Sequence, residues 1–204
     1  MSPLTRAFGG ILCLVASGAA AAAAGPDPDW PCQQPLVTQV SAAMIWTGPP
    51  IDNIGDWRNE PAVAALVERI APRNVSTKDG QAAIEAFLHD LRGDRKHLIT
   101  LAFAGLLDET NDQRSEVIDR IRDFAERQRN LSDLVNKLSV QVGELPPAEQ
   151  TNPSPEHKDL VDRWTFTTQA YTQMQQTMRY ACEIPGQIDS RLGTYARALA
   201  AGLS

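Results

Sequence analysis

Residues able to act as metal ligands, nucleophiles or proton carriers are few, and their spacing fits no known chemistry well. The chain holds three histidines, His89, His97 and His157. No two stand four apart, the spacing that puts two imidazoles on one helical face for zinc, and no HExxH occurs. His89 falls late in one expected helix and His157 at the start of another, positions that suit solvated side chains. The carboxylates Asp108, Asp112 and Glu116 share a face through steps of four and are the weak candidates for an oxygen-seeking cation. Arg114 and Arg120, interleaved with them and with Glu109, make a salt-bridged surface the simpler reading, so no metal is assigned. The stretch from Asp52 to Asp56 lacks the ligand ladder and closing glutamate of a calcium loop. GxSxG, Walker and GxGxxG patterns are absent, and without Cys-x-x-Cys-His a c-type haem is excluded. No catalytic residue and no cofactor is assigned. An enzyme would need a cleft joining His89 or His97 to carboxylates such as Asp90 and Asp94.

The cysteines say more. The N-terminus, MSPLTRAFGGILCLVASGAAAAAAG, has a basic start at Arg6, a short apolar run over Ala7–Val15 and an alanine tract. This is the order of a secretory signal peptide, with cleavage expected after Ala24. The run is too short and too rich in alanine for a membrane anchor, and Leu12 before Cys13 disfavours a lipoprotein. Cys13 would leave with the leader, so Cys32 and Cys182 remain. In an oxidising compartment two remaining cysteines pair, and neither sits in a redox Cys-x-x-Cys. A structural disulfide is therefore expected, with two free thiols as the alternative. The product is expected to be periplasmic or secreted.

Loss of Arg6 with the leader leaves 18 basic against 25 acidic residues. A net-acidic protein does not attract nucleic acid or an anionic membrane surface. No later stretch is apolar enough to span a bilayer, so the mature chain is expected to lack a transmembrane segment.

Two groups of aromatic residues stand out. Trp164, Phe166, Tyr171, Met174, Met178 and Tyr180 concentrate large side chains on one Gln/Thr-rich segment and form the candidate interaction surface. Most lie at core spacing, where filling a helical seam is the plainer role. Trp30, Trp46 and Trp57 cluster in a proline-rich arm and are the candidate lining of a ligand pocket, or else pins that hold the arm down.

The elements that must position these residues read as all-α. Residues 25–58 form an extended arm, with Pro26, Pro28, Pro31 and Pro35 early and one short turn over Ser41–Trp46. Two short helices follow within 59–93. Asn59 is placed to cap the first, over Glu60–Ile70, and Ser76 with Asp79 to cap the second, over Thr77–Arg92. From Phe103, alternating steps of four and three give Leu107, Thr110, Arg114, Val117, Ile121, Phe124, Gln128, Leu131, Val135, Leu138 and Val142. Nine of these twelve are apolar: a heptad seam on one long helix over about 94–145, with a kink or break expected near Asn111. The loop PPAEQTNPSP separates it from a second heptad run, Leu160, Trp164, Thr167, Tyr171, Met174, Met178 and Ala181. The two are expected to fold as an antiparallel hairpin (94–145 with 156–183), the shorter return covering only Val117 to Val142. Glu183-Ile184-Pro185-Gly186 is expected to break the chain before a last helix over 187–203.

Residues 25–204 thus read as one helical bundle tethered by a disulfide. The leading functional expectation is an exported, non-enzymatic interaction protein: an adaptor, chaperone-like or assembly factor that uses the hairpin to hold another periplasmic protein, with a homodimer also possible. The alternative is a small-ligand or metal carrier, and an enzyme without a recognisable motif stands third.

Overall fold

In the computed structural model, which describes Asp27 and residues 29–204, the chain folds as α1 (Ala42–Ile45), one 3-10 turn (Trp57–Asn59), α2 (Pro61–Ile70), α3 (Thr77–Asp90), α4 (Arg95–Gly143), α5 (Pro147–Thr151) and α6 (Lys158–Ala201). No strand forms among the described residues. The leader expected over residues 1–24 lies outside them.

Local signals set the short helices. Pro61 occupies the first turn of α2, and Val63, Leu66, Val67 and Ile70 are buried from one face. Its cap position is Glu60 and not Asn59, because Trp57–Asn59 are drawn into the 3-10 turn. At α3 the Ser76 hydroxyl accepts the Asp79 N–H at 3.1 Å and donates to the Asp79 carboxylate at 2.7 Å. Gly93, at φ +92°, turns the chain toward Asp94, whose carboxylate accepts from the His97 N–H at 3.1 Å and caps α4.

α4 is a single helix of 49 residues, about 73 Å long, with no break at Asn111. All twelve heptad positions are buried or half-buried, the polar ones included. The polar turns expected to mark a kink have another role: they hold the arm. Asn111 accepts the Val40 N–H at 2.8 Å and donates to the Val40 carbonyl at 3.1 Å, pairing both backbone groups of an arm residue that is itself buried.

The expected break at Glu183–Gly186 does not occur either. α6 runs 44 residues straight through Pro185. A helix-interior proline removes one backbone hydrogen bond and costs roughly 3 kcal/mol. Contacts crowded around it offset that loss. The Gln34 amide donates to the Cys182 carbonyl, Cys182 is bonded to Cys32, and Arg114 donates to the Pro185 carbonyl at 3.2 Å. The four-three rhythm also keeps phase across the proline, from Ala181 through Pro185, Ile188, Leu192 and Tyr195 to Leu199.

The last helix is therefore the continuation of the return helix, and α6 covers far more of α4 than Val117–Val142. Arg95 donates to the Gly202 carbonyl at 2.9 Å, Arg191 reaches Gln113 at 3.4 Å, and Arg114 reaches Pro185. Partner numbers fall as α4 numbers rise, so the pair is antiparallel over this stretch. Near the tip, part of the loop forms the short α5.

Two apolar clusters result. The larger joins α2, α3, the start of α4 and the end of α6, with Phe103, Ile99 and Leu199 fully buried. Gly80 lets α3 approach closely there, since any Cβ would meet the Tyr195 ring. The smaller joins Val117, Ile121, Ala125, Met178 and Ile188 beneath Trp30 and the disulfide. Neither cluster reaches past Ala125 along α4.

Candidate functional site

The arm lies across the hairpin and closes one side of a cleft. Its first residues are held by ion pairs: Asp27 with Arg122 at 2.7 Å and Asp29 with Arg129 at 3.1 Å. The Arg122 hydrogen bond, aided by the Asp29 N–H, lowers the Asp27 carboxyl pKa. The Trp30 indole then turns the arm by donating to the Gln34 carbonyl at 2.7 Å. The disulfide joins Cys32 to Cys182, with Cα atoms 5.5 Å apart, and fixes the arm to the middle of α6.

Arg114 is the hub under this crossing. Its side chain is only 3% exposed. It donates to the Val37 carbonyl of the arm and the Pro185 carbonyl of α6, and it pairs with Asp189. One side chain thus ties α4, α6 and the arm together, while its Nε–H is buried without a partner. Truncating a buried paired charge leaves its partners unmatched, so such a hub is costly to remove.

Between arm and α6 opens a cleft of about 1340 Å³ that includes Trp30, Arg114, Met178, Cys182 and Arg191. Both cysteines of the disulfide border it. Arg191, half-buried, donates to the Pro72 carbonyl at 2.9 Å and to Ala71, and lies 5.9 Å from the Tyr195 ring centre. Burial is the main cause of a lowered Arg191 pKa and a raised Tyr195 pKa.

The three tryptophans do not converge on this cleft. Trp30 lines it. Trp46 stacks on Phe103 with centroids 4.2 Å apart and donates to the Pro49 carbonyl. Trp57 is buried in the main core, and its indole donates to Asp108 at 3.1 Å. Two of the three pin the arm, the plainer of the two roles expected for them, and Trp30 alone of the three borders the cleft.

The acidic residues near Asn111 are used within the fold. Asp108 also accepts from Arg58 at 3.1 Å, Glu109 pairs with Arg58 at 3.4 Å, and Glu116 lies 3.6 Å from Arg120. Among the described residues no three His, Cys, Asp or Glu side chains, Asp112 included, gather closely enough to hold a metal ion. His89 contacts its neighbour Asp90 at 2.8 Å, with both side chains more than three-quarters exposed. Asp94 serves as a cap, its carboxylate accepting the His97 backbone N–H.

On α6 the aromatic and methionine residues divide. Met178 is buried in the smaller cluster, and Trp164, Tyr171 and Met174 are half-buried on the seam. Phe166 and Tyr180 are 69% and 72% exposed. Of the six residues expected to form a surface, two are free to meet a partner.

Arg114 was legible only as a charge at a seam position, and Asn111 only as a suspected kink. Gln34, Asp189 and Arg191 carried no signal in spacing or composition. The chain matches no protein-family model, no curated protein and no solved structure, and what this cleft and hairpin do must follow from their own chemistry.

Proposed function

We propose that this chain is an exported, non-enzymatic interaction protein that meets a partner protein through the distal half of the α4–α6 hairpin. One observation carries the reading. Past Ala125 no third apolar layer packs on the two helices, where only Asp29 of the arm reaches Arg129, yet large apolar side chains face outward there and just before it. Phe166 and Tyr180 lie two full heptads apart on α6, so they share one outer stripe, about 21 Å apart along the axis. Val140 and Leu134 of α4 add exposures of 64% and 40%. Exposed aromatic and aliphatic residues on an otherwise polar hairpin have the composition of a contact site. An adaptor, chaperone-like or assembly role fits such a surface. Export is supported by the leader-like N-terminus and the disulfide, and no helix among the described residues is long and apolar enough to cross a membrane.

The test is a photo-crosslinking amino acid at position 166, carried on the full chain in its native cells. A discrete adduct from position 166 that is absent when the same group sits at the exposed position 78 of α3 supports the reading. Identical adducts from both positions, or none from either 166 or 180, would contradict it.

A second reading, a periplasmic carrier, is favoured by the cleft between arm and α6. Native mass spectrometry of protein purified without chelator tests it. A reproducible added mass that disappears on unfolding supports a carried ligand, and a clean apo mass counts against one.

A further inference from the structure

The cleft follows α6 from Met178 to Thr194, about 24 Å along the helix, a length that an extended peptide of about seven residues spans. Its charges do not cancel evenly. Arg114 is matched by Asp189, whereas Arg179 makes no ion pair among the described residues, although Glu183 stands one turn away on the same helix. Arg191 has no carboxylate partner among the described residues. Its N–H groups meet only neutral acceptors: the Ala71 and Pro72 carbonyls and the Gln113 amide oxygen. Burial lowers its pKa, the Tyr195 phenol opposes that shift, and Arg73 adds a smaller push downward. Thr77, in the first turn of the 14-residue α3, borders the same cleft, and the Asp79 carboxylate in that turn offsets the positive end of the helix. Arg114 also borders the cleft, but its unpartnered Nε–H is sealed from solvent and belongs to the fold.

The walls narrow the chemistry further. Gln33 and Gln187 offer amide groups that both donate and accept, the pairing that peptide bonds require. Trp30 and Met178 supply apolar surface beside them. An aliphatic chain laid here would bury those amides unpaired, which is unfavourable, whereas an extended backbone would satisfy them.

We propose that the cleft between the arm and α6 binds an extended, acidic peptide segment of another protein, with a carboxylate of that segment on Arg191. The site is separate from the hairpin surface and stands or falls independently of it.

A random heptapeptide display library, panned against the oxidised full chain and against R191Q and R191K, tests this. Peptides selected by the parent chain are expected to be enriched in Asp and Glu. Synthetic copies should bind R191Q about tenfold more weakly, the scale of one charge-assisted hydrogen bond. R191K, which keeps the charge, should retain the acidic preference, separating recognition from the structural hold on Ala71 and Pro72. F166A should leave binding unchanged. Selection without acidic enrichment, equal binding to R191Q, or loss of binding in F166A would overturn the proposal. Displacement of the selected peptides by decanoate at equal concentration would also overturn it, assigning the cleft to free carboxylic acids.

Discussion

The two halves of α4 share one helix and one heptad seam but live in different surroundings. From Leu98 to Ala125 the helix buries residues on several faces, because α2, the 3-10 turn and the arm pack on it in addition to α6. From Glu126 to Gly143 only Leu138 and Val142 are buried, and the remaining seam residues Gln128, Leu131 and Val135 stay half-exposed to water. A seam tells a chain which face to turn inward. How deeply that face is buried depends on how many layers cover it, and a two-helix hairpin covers it once. The proximal half has the packing of a domain core, and the distal half has that of an arm.

Removing the disulfide is expected to have the largest effect. The closed loop spans 150 residues, and the chain-entropy model puts the stabilisation at about 4–5 kcal/mol as an upper figure. A C32S/C182S variant should lose up to this amount in urea unfolding. An unchanged midpoint would show that the arm holds through its hydrogen bonds alone. Phe103→Ala, at a fully buried position stacked on Trp46, should cost about 3–5 kcal/mol. Val135→Ala, at a half-buried distal position, should cost about 1 kcal/mol or less. Equal losses from the two would erase the difference between the halves. Arg114→Met keeps the volume but leaves Asp189 and two carbonyls without their donor, and should cost about 2–3 kcal/mol, read from the same urea curves. A neutral or stabilising result would mean that apolar packing serves the crossing as well.

The smallest effect expected is at the tip. Glu149 accepts the Ser154 N–H at 2.6 Å, and this bond, with His157 assisting, lowers its pKa from the ordinary 4.5. A depressed carboxyl contributes stability above its unfolded pKa and loses it as pH falls through the folded value. The loop between α4 and α6 should therefore loosen in acid while the proximal core keeps its amide dispersion. Tip resonances that do not move between about pH 6 and pH 3, the carboxylate range, would contradict that.

Much of this architecture was written in the periodicity. The seam from Phe103 to Val142, the second run from Leu160 and the cap at Ser76 depend on local spacing, which a sequence displays directly. The misreadings share one physical origin, contacts from residues distant in the chain. Pro185 reads as a helix breaker until Gln34, Cys32 and Arg114 are seen to gather around it, although the unbroken heptad phase through Leu199 was a usable sign. Asn111 and Arg114 read as a kink because their partners include the arm, 71 residues earlier in the case of Asn111 and Val40. Trp46 and Trp57 read either as pins or as pocket walls, because tryptophan type does not reveal which way an arm folds. Arg191 was invisible, since an unpaired charge is a property of its neighbours and not of its spacing.

Native-state hydrogen exchange of the oxidised full chain, resolved along α4, is the most direct measurement. Amides from Leu98 to Ala125 are expected to exchange only through global unfolding, with protection falling steeply beyond Ala125 toward Gly143. Uniform protection to the tip in the isolated protein would contradict a two-layer distal arm, and with it the free contact surface on which the proposed function rests.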